Sequence, residues 1–219
     1  MRKITPSSAM LAGLLMASAG SASAGTVTFN SFDQYGSDFV NYVVTIDDVT
    51  TDVFTVNVKI ADNSPNTGDI LGIAFDLNYG FTASQLNIKG SDITKVGFNT
   101  LNNQGGNNFQ GEGKDLFSNG TPDVLLTIGR SGSGFDFITQ TSFTFASLGK
   151  NLEDAFLGTA FGIRAQSVGL NGEGSSKDIA TTSTFEGSPV PVPAAVWFMG
   201  TGLLGLLGFA RARKTAVAA

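Results

Sequence analysis

Val53-Phe54-Thr55-Val56-Asn57-Val58-Lys59-Ile60 alternates apolar and polar side chains without a break. Neighbouring side chains on a strand point to opposite faces. Phe54, Val56, Val58 and Ile60 therefore share one face, and Thr55, Asn57 and Lys59 the other, which predicts a half-buried strand. Asp62-Asn63-Ser64-Pro65-Asn66-Thr67-Gly68-Asp69 follows and is dense in turn-forming residues. A second strand is expected over 70–79, with Leu71, Ile73, Phe75 and Leu77 pointing inward and Gly80 closing it.

Working outward, the same pattern predicts strands over 26–32, 39–46, 85–89, 93–98, 124–129, 141–146, 160–168 and 179–185, about ten in all. Only 148–157 suggests a helical turn, with Leu152, Phe156 and Leu157 on one side. Short strands separated by Gly-, Asn-, Asp- and Ser-rich loops, without alternating helices, predict an all-β domain, a β-sandwich or jelly roll. The 18 phenylalanines suit a core of two facing sheets. Residues 101–118 turn polar and read as a long loop in which Phe109 is a lone apolar anchor.

Both ends of the chain differ from this body. Arg2 and Lys3 precede an apolar stretch over 9–19, and Ala22-Ser23-Ala24 precedes Gly25. That order predicts a signal peptide over 1–24, cut after Ala24, with Ala22 and Ala24 as the small residues of the cut site. Near the other end, 194–210 carries no charge. As a helix it would reach ~26 Å at about 1.5 Å per residue, close to the thickness of a hydrocarbon core. Arg211, Arg213 and Lys214 follow as a cytoplasmic stop, and 215–219 is then a short tail inside the cell. Gly202, Gly205 and Gly208 would give such a helix one smooth stripe.

The run Val190-Pro191-Val192-Pro193-Ala194-Ala195-Val196-Trp197-Phe198-Met199-Gly200, then the Gly- and Leu-rich stretch, then Arg211-Ala212-Arg213-Lys214, resembles the PEP-CTERM sorting signal. It is most similar to the variant that begins Val-Pro-Leu-Pro-Ala, with Val192 in place of Leu and no Glu between Pro191 and Pro193. The resemblance covers 189–214. It implies a Gram-negative, exopolysaccharide-producing setting. It also implies an exosortase-type membrane protease that reads Val190, Pro191, Val192, Pro193 and Ala194, and a precursor held only transiently in the inner membrane. The mature protein would then lie at the cell surface or outside the cell. Two lesser resemblances accompany it. Residues 53–86 are similar to the opening hairpin of cohesin-like sandwich modules. Residues 164–177 look like the end of many PEP-CTERM ectodomains.

The body expected over 25–188 holds all eighteen acidic residues but only eight of the thirteen basic ones, a net charge of −10 against −5 for the whole chain. Such acidity argues against nucleic acid as a partner. No cysteine or histidine is present. Thiol chemistry, disulfides, and Ser-His-Asp or Cys-His catalysis within the chain are thereby excluded. Acidic loops remain. Asp47, Asp48 and Asp52 crowd one, and Asp62 and Asp69, with Asn63 and Asn66, crowd the next. Carboxylate and amide oxygens of this kind can hold Ca²⁺, although Asx-rich turns also form without metal. A glycosidase would need two converging carboxylates, for which Glu112, Asp115, Asp123 and Asp136 are available.

The expected function is that of an exported, non-enzymatic surface or matrix protein with a structural or adhesive role and no obligatory cofactor. One alternative is a carbohydrate-binding module for exopolysaccharide, with Tyr35, Tyr42 and Tyr79 as candidate sugar platforms. A second is a polysaccharide-acting hydrolase.

Overall fold

A computed structural model describes residues 25–36, 38–103, 107–111, 113–132, 136–181 and 183–186. All of them belong to one unit, Ser23–Pro189. The signal-peptide residues Ala22 and Ala24 lie outside the described residues. So do Glu112, the sorting motif Val190–Ala194, the apolar run, and Arg211, Arg213 and Lys214. Among the described residues no helix is long and apolar enough to cross a membrane.

The described strands are β1 (Thr26–Phe29), β2 (Asp33–Gln34), β3 (Tyr42–Asp47), β4 (Val53–Ile60), β5 (Asp69–Phe75), β6 (Ile93–Phe98), β7 (Asn102–Asn103), β8 (Asn107–Asn108), β9 (Val124–Ile128), β10 (Gln140–Ala146), β11 (Phe161–Val168), β12 (Gly174–Ala180) and β13 (Thr184–Glu186). Two short helices, α1 (Ala83–Leu86) and α2 (Leu152–Phe156), join them. One sheet has the order β10-β4-β3-β1-β13, the other β2-β12-β11-β5-β9-β6. Every pairing within them is antiparallel. The fold is thus all-β with two antiparallel sheets around a shared core.

β4 keeps the predicted alternation, with Phe54, Val56 and Val58 buried. Their faces meet Val44 and Ile46 of β3, Phe143 and Phe145 of β10, and the inner side of the second sheet. Phe75 bridges the layers. Its ring stacks at 5.4 Å from Phe145, 6.0 Å from Phe143 and 5.8 Å from Phe161. Each such pair contributes ~0.5–1.5 kcal/mol beyond its buried area.

Four features depart from the sequence expectation. On β5, Ile73 and Phe75 join the main core as expected, but Ile70 joins it in place of Leu71. The pairing with β11 slips there, from Gly72 opposite Arg164 to Ile70 opposite Ala165. Leu71 is the extra residue of a bulge, and an extra residue inverts the side-chain phase on one side of itself. Residues 85–89 do not make a strand. Thr82 and Gln85 form a capping box that starts α1, and only Lys89 bridges to Thr144. The expected 179–185 strand is two strands: Ile179 and Ala180 end the polar β12, and Thr184 begins β13. On α2, Leu152 and Phe156 are buried as expected, but Leu157 is exposed because the helix ends at Phe156.

The described residues of the expected loop over 101–118 form a strap on the outer face of the six-stranded sheet. Phe109 is not a lone anchor. It meets Phe117 edge-on at 6.0 Å, and both pack with Ala74, Leu125 and Ile179 in a second apolar cluster. Gly162 lies beneath them, where a Cβ would come within 2.8 Å of Phe109 and 2.9 Å of Phe117. With a core on one face and the strap on the other, β5 and β9 are buried along their whole lengths.

Candidate functional site

Among the described residues, the outer face of the five-stranded sheet carries half-buried and exposed side chains. Alternation puts Thr45 of β3, Asn57 of β4 and Ser142 of β10 on that face, and strand register sets them side by side: Thr45 opposite Asn57, Asn57 opposite Ser142. One step along, Lys59 lies between Val43 and Gln140. These residues, with Val58, Thr141 and Asp92, line a cleft of ≈ 390 Å³. Asp92 comes from the turn before β6. Thr141 Oγ1 donates to its Oδ2 at 2.7 Å, and Ser91 Oγ to its Oδ1 at 3.2 Å. Lys59 Nζ leans out to the Asp62 carboxylate at 3.6 Å.

The cleft therefore offers three hydroxyls, two carboxamides, one ammonium and one carboxylate, with no aromatic ring. Such a set can exchange hydrogen bonds with a polyhydroxylated molecule. It holds a single carboxylate, whereas glycoside hydrolysis through paired acids needs two.

The acids named from the sequence are dispersed. Asp48 Oδ1 accepts the Gly25 amide at 2.6 Å. Asp47 sits on the outer face of the five-stranded sheet, and Asp52 is an exposed turn residue with φ 59°. Asp62 pairs with Lys59 in solvent. Asp69 is buried: its Oδ1 accepts the Ile138 amide at 2.9 Å, its Oδ2 the Gln166 Nε2 at 2.8 Å. Among the described residues no three His, Cys, Asp or Glu side chains converge as a metal site. Asp115 is exposed beside Lys114, and Asp136 accepts the Arg130 amide at 3.3 Å. Asp123 is half-buried beside Asp76, with its Oδ2 accepting the Leu77 amide at 2.8 Å.

The tyrosines do not form a platform. Tyr42 is 1% exposed, and its hydroxyl donates to Ser176 Oγ at 3.2 Å. Tyr79 Oη donates to the Ala146 carbonyl at 3.4 Å, and burial raises its pKa. The Tyr35 ring packs over Gly113. Among the described residues the exposed aromatic rings are instead Phe39 and Phe137, 57% and 56% exposed. They stand with the fully exposed Leu170 on loops at the end of the sandwich away from Gly25 and Glu186. Phe39 reads as the start of a strand in the sequence. A signal for its exposure lies in the Asp, Gly and Ser residues before it, which favour a turn.

Two buried carboxyls were not anticipated. Asp178 sits on the core side of β12, where burial pushes its pKa up to about 7; Ser176 Oγ donates to its Oδ2. Asp76 holds the strap. Its Oδ2 accepts the Ser118 amide at 2.7 Å and its Oδ1 the Asp123 amide at 3.2 Å, and burial raises its pKa to about 6. Comparison with known proteins finds no matching protein family, no matching curated protein and no matching solved structure.

Proposed function

We propose that this chain is the precursor of an exported surface or extracellular-matrix protein with a structural or adhesive role. Residues 1–24 direct export, and 189–214 act as a removable sorting signal read by an exosortase-type protease in the inner membrane. The reading rests on the PEP-CTERM-like tail. The observation in the fold that supports it most directly is the pairing of Thr26 with Glu186. The body's first strand therefore begins beside the end of its last strand. The acidic, cysteine-free body suits an exported domain stabilised by its own core rather than by disulfides. Mass spectrometry of the mature protein from its native host tests the proposal. A chain running from Gly25 to near Pro191 is the expected result; an intact Ala219 terminus removes sorting by cleavage.

The cleft on the five-stranded sheet favours a second reading, carbohydrate binding. Asn57 and Gln140 would supply the amide contacts that orient a sugar's hydroxyls. A glycan array probed with the wild type and with an Asn57→Ala/Gln140→Ala variant decides it: hits that vanish in the variant support the reading, and an empty array sinks it. The hydrolase reading draws no support from the cleft, where Asp92 is the one carboxylate.

A further inference from the structure

The outer face of the six-stranded sheet carries one row of side chains in strict register. Lys95 lies opposite Thr127, Thr127 opposite Gly72, Gly72 opposite Arg164, and Arg164 opposite Lys177. Three of the five residues are cations and none is an acid, in a body whose net charge is −10. Arg164 and Lys177 are immediate cross-strand neighbours. Like charges in that position repel one another and destabilise the sheet.

The two cations have little among the described residues to offset that repulsion. Among the described residues neither lies within ion-pair distance of a carboxylate; the ion pairs found there are Lys59–Asp62 and Lys114–Asp115. Lys177 Nζ donates to the Gln110 carbonyl in the strap. Arg164 Nη1 is buried and has no acceptor among the described residues, although an unpaired donor on a charged group is among the costliest buried groups in a fold. Burial lowers the pKa of both residues, and Arg164 lowers that of Lys177 further. Asp178, next in the chain, offers no relief, because its side chain turns to the opposite face toward Ser176. The strap meanwhile holds the pair in place: the Asn107 amide fills the space above Gly72, where any Cβ would collide with it.

The geometry points to an oxyanion site at Arg164 and Lys177. The planar guanidinium fork would take a carboxylate, sulfate or phosphate group bidentately, and the ammonium would supply the second charge from the neighbouring strand. The site is on the other sheet from the cleft, and it stands or falls independently of the sorting reading.

Isothermal titration of the full chain at constant ionic strength tests it, with inorganic sulfate, inorganic phosphate and trigalacturonate as separate titrants. Saturable binding of at least one titrant is expected. It should weaken tenfold or more in Arg164→Gln and in Lys177→Gln, and stay unchanged in Lys150→Gln, which removes the same charge from an exposed position elsewhere. Inorganic ions binding alone would mark a site for a free oxyanion; tighter binding of trigalacturonate would mark a site for the carboxylates of an acidic glycan. If Arg164→Gln does not fold, Lys177→Gln carries the test. No saturable binding of any titrant, wild-type affinity in Lys177→Gln, or an equal loss in Lys150→Gln overturns the proposal.

Discussion

Asp178 shows how one residue can tie this fold to pH. In an unfolded chain an aspartate titrates near 3.9. Inside the sandwich, burial raises Asp178 to about 7 and Asp76 to about 6, and burial also raises Asp69. Between the unfolded and folded values the folded chain binds more protons, so the free energy of unfolding falls as pH rises. The penalty is absent below about pH 4 and complete once pH passes the folded value. The urea midpoint should therefore be higher at pH 5 than at pH 8. Asp178→Asn keeps an oxygen for the Ser176 hydroxyl but carries no charge, so it should lose less stability than the wild type between pH 5 and pH 8, the remaining loss coming from Asp76 and Asp69. A wild-type midpoint that climbs from pH 5 to pH 8 would contradict this account.

At the scale of elements, the described residues of the strap turn an ordinary sandwich face into a second buried layer. Its seating depends on glycine at two points in the sheet, Gly72 under Asn107 and Gly162 under Phe109 and Phe117. Gly162→Ala would drive a methyl into both rings, and overpacking of that kind costs ~1–3 kcal/mol. We expect a lower urea midpoint together with faster amide exchange in 107–117; unchanged exchange in that segment would mean the strap is held by other contacts. The same element marks the limit of the sequence as a guide. β4, β6 and β9 were legible because their apolar residues alternate or run together. The strap was not, because its anchors Phe109 and Phe117 sit eight residues apart in a polar run and become partners only across Gly162. β12 was missed because Gly174-Ser175-Ser176-Lys177-Asp178 has no apolar alternation, and its Ser176 and Asp178 are buried on the core side, opposite Ala165 and Ile163. The cleft and the Arg164–Lys177 pair are products of register, which no local pattern encodes.

At the scale of the whole molecule, the fold closes through its most distant partners. β13 pairs with β1 through Thr26–Glu186, Val27–Phe185 and Thr28–Thr184, so the five-stranded sheet is complete only once nearly the entire body has been made. Pairings between remote segments are slow to form, because the loop must close before the contacts repay it. β13 has three residues, yet it covers one edge of β1, and Phe185 packs against the main core. Without it β1 would be an edge strand presenting unpaired amides and carbonyls to other chains. Removing 184–186 should cost about 2 kcal/mol, the burial of roughly one large apolar side chain. It should also give concentration-dependent association in size-exclusion chromatography, through the bared edge of β1. Phe185→Ala separates the two effects, since it loses the side-chain packing but keeps the backbone pairing: it should be destabilised and still elute as the wild type does. If the deletion itself elutes unchanged at every concentration and keeps its midpoint, β13 is dispensable and closure of the sheet does not set the stability of the body.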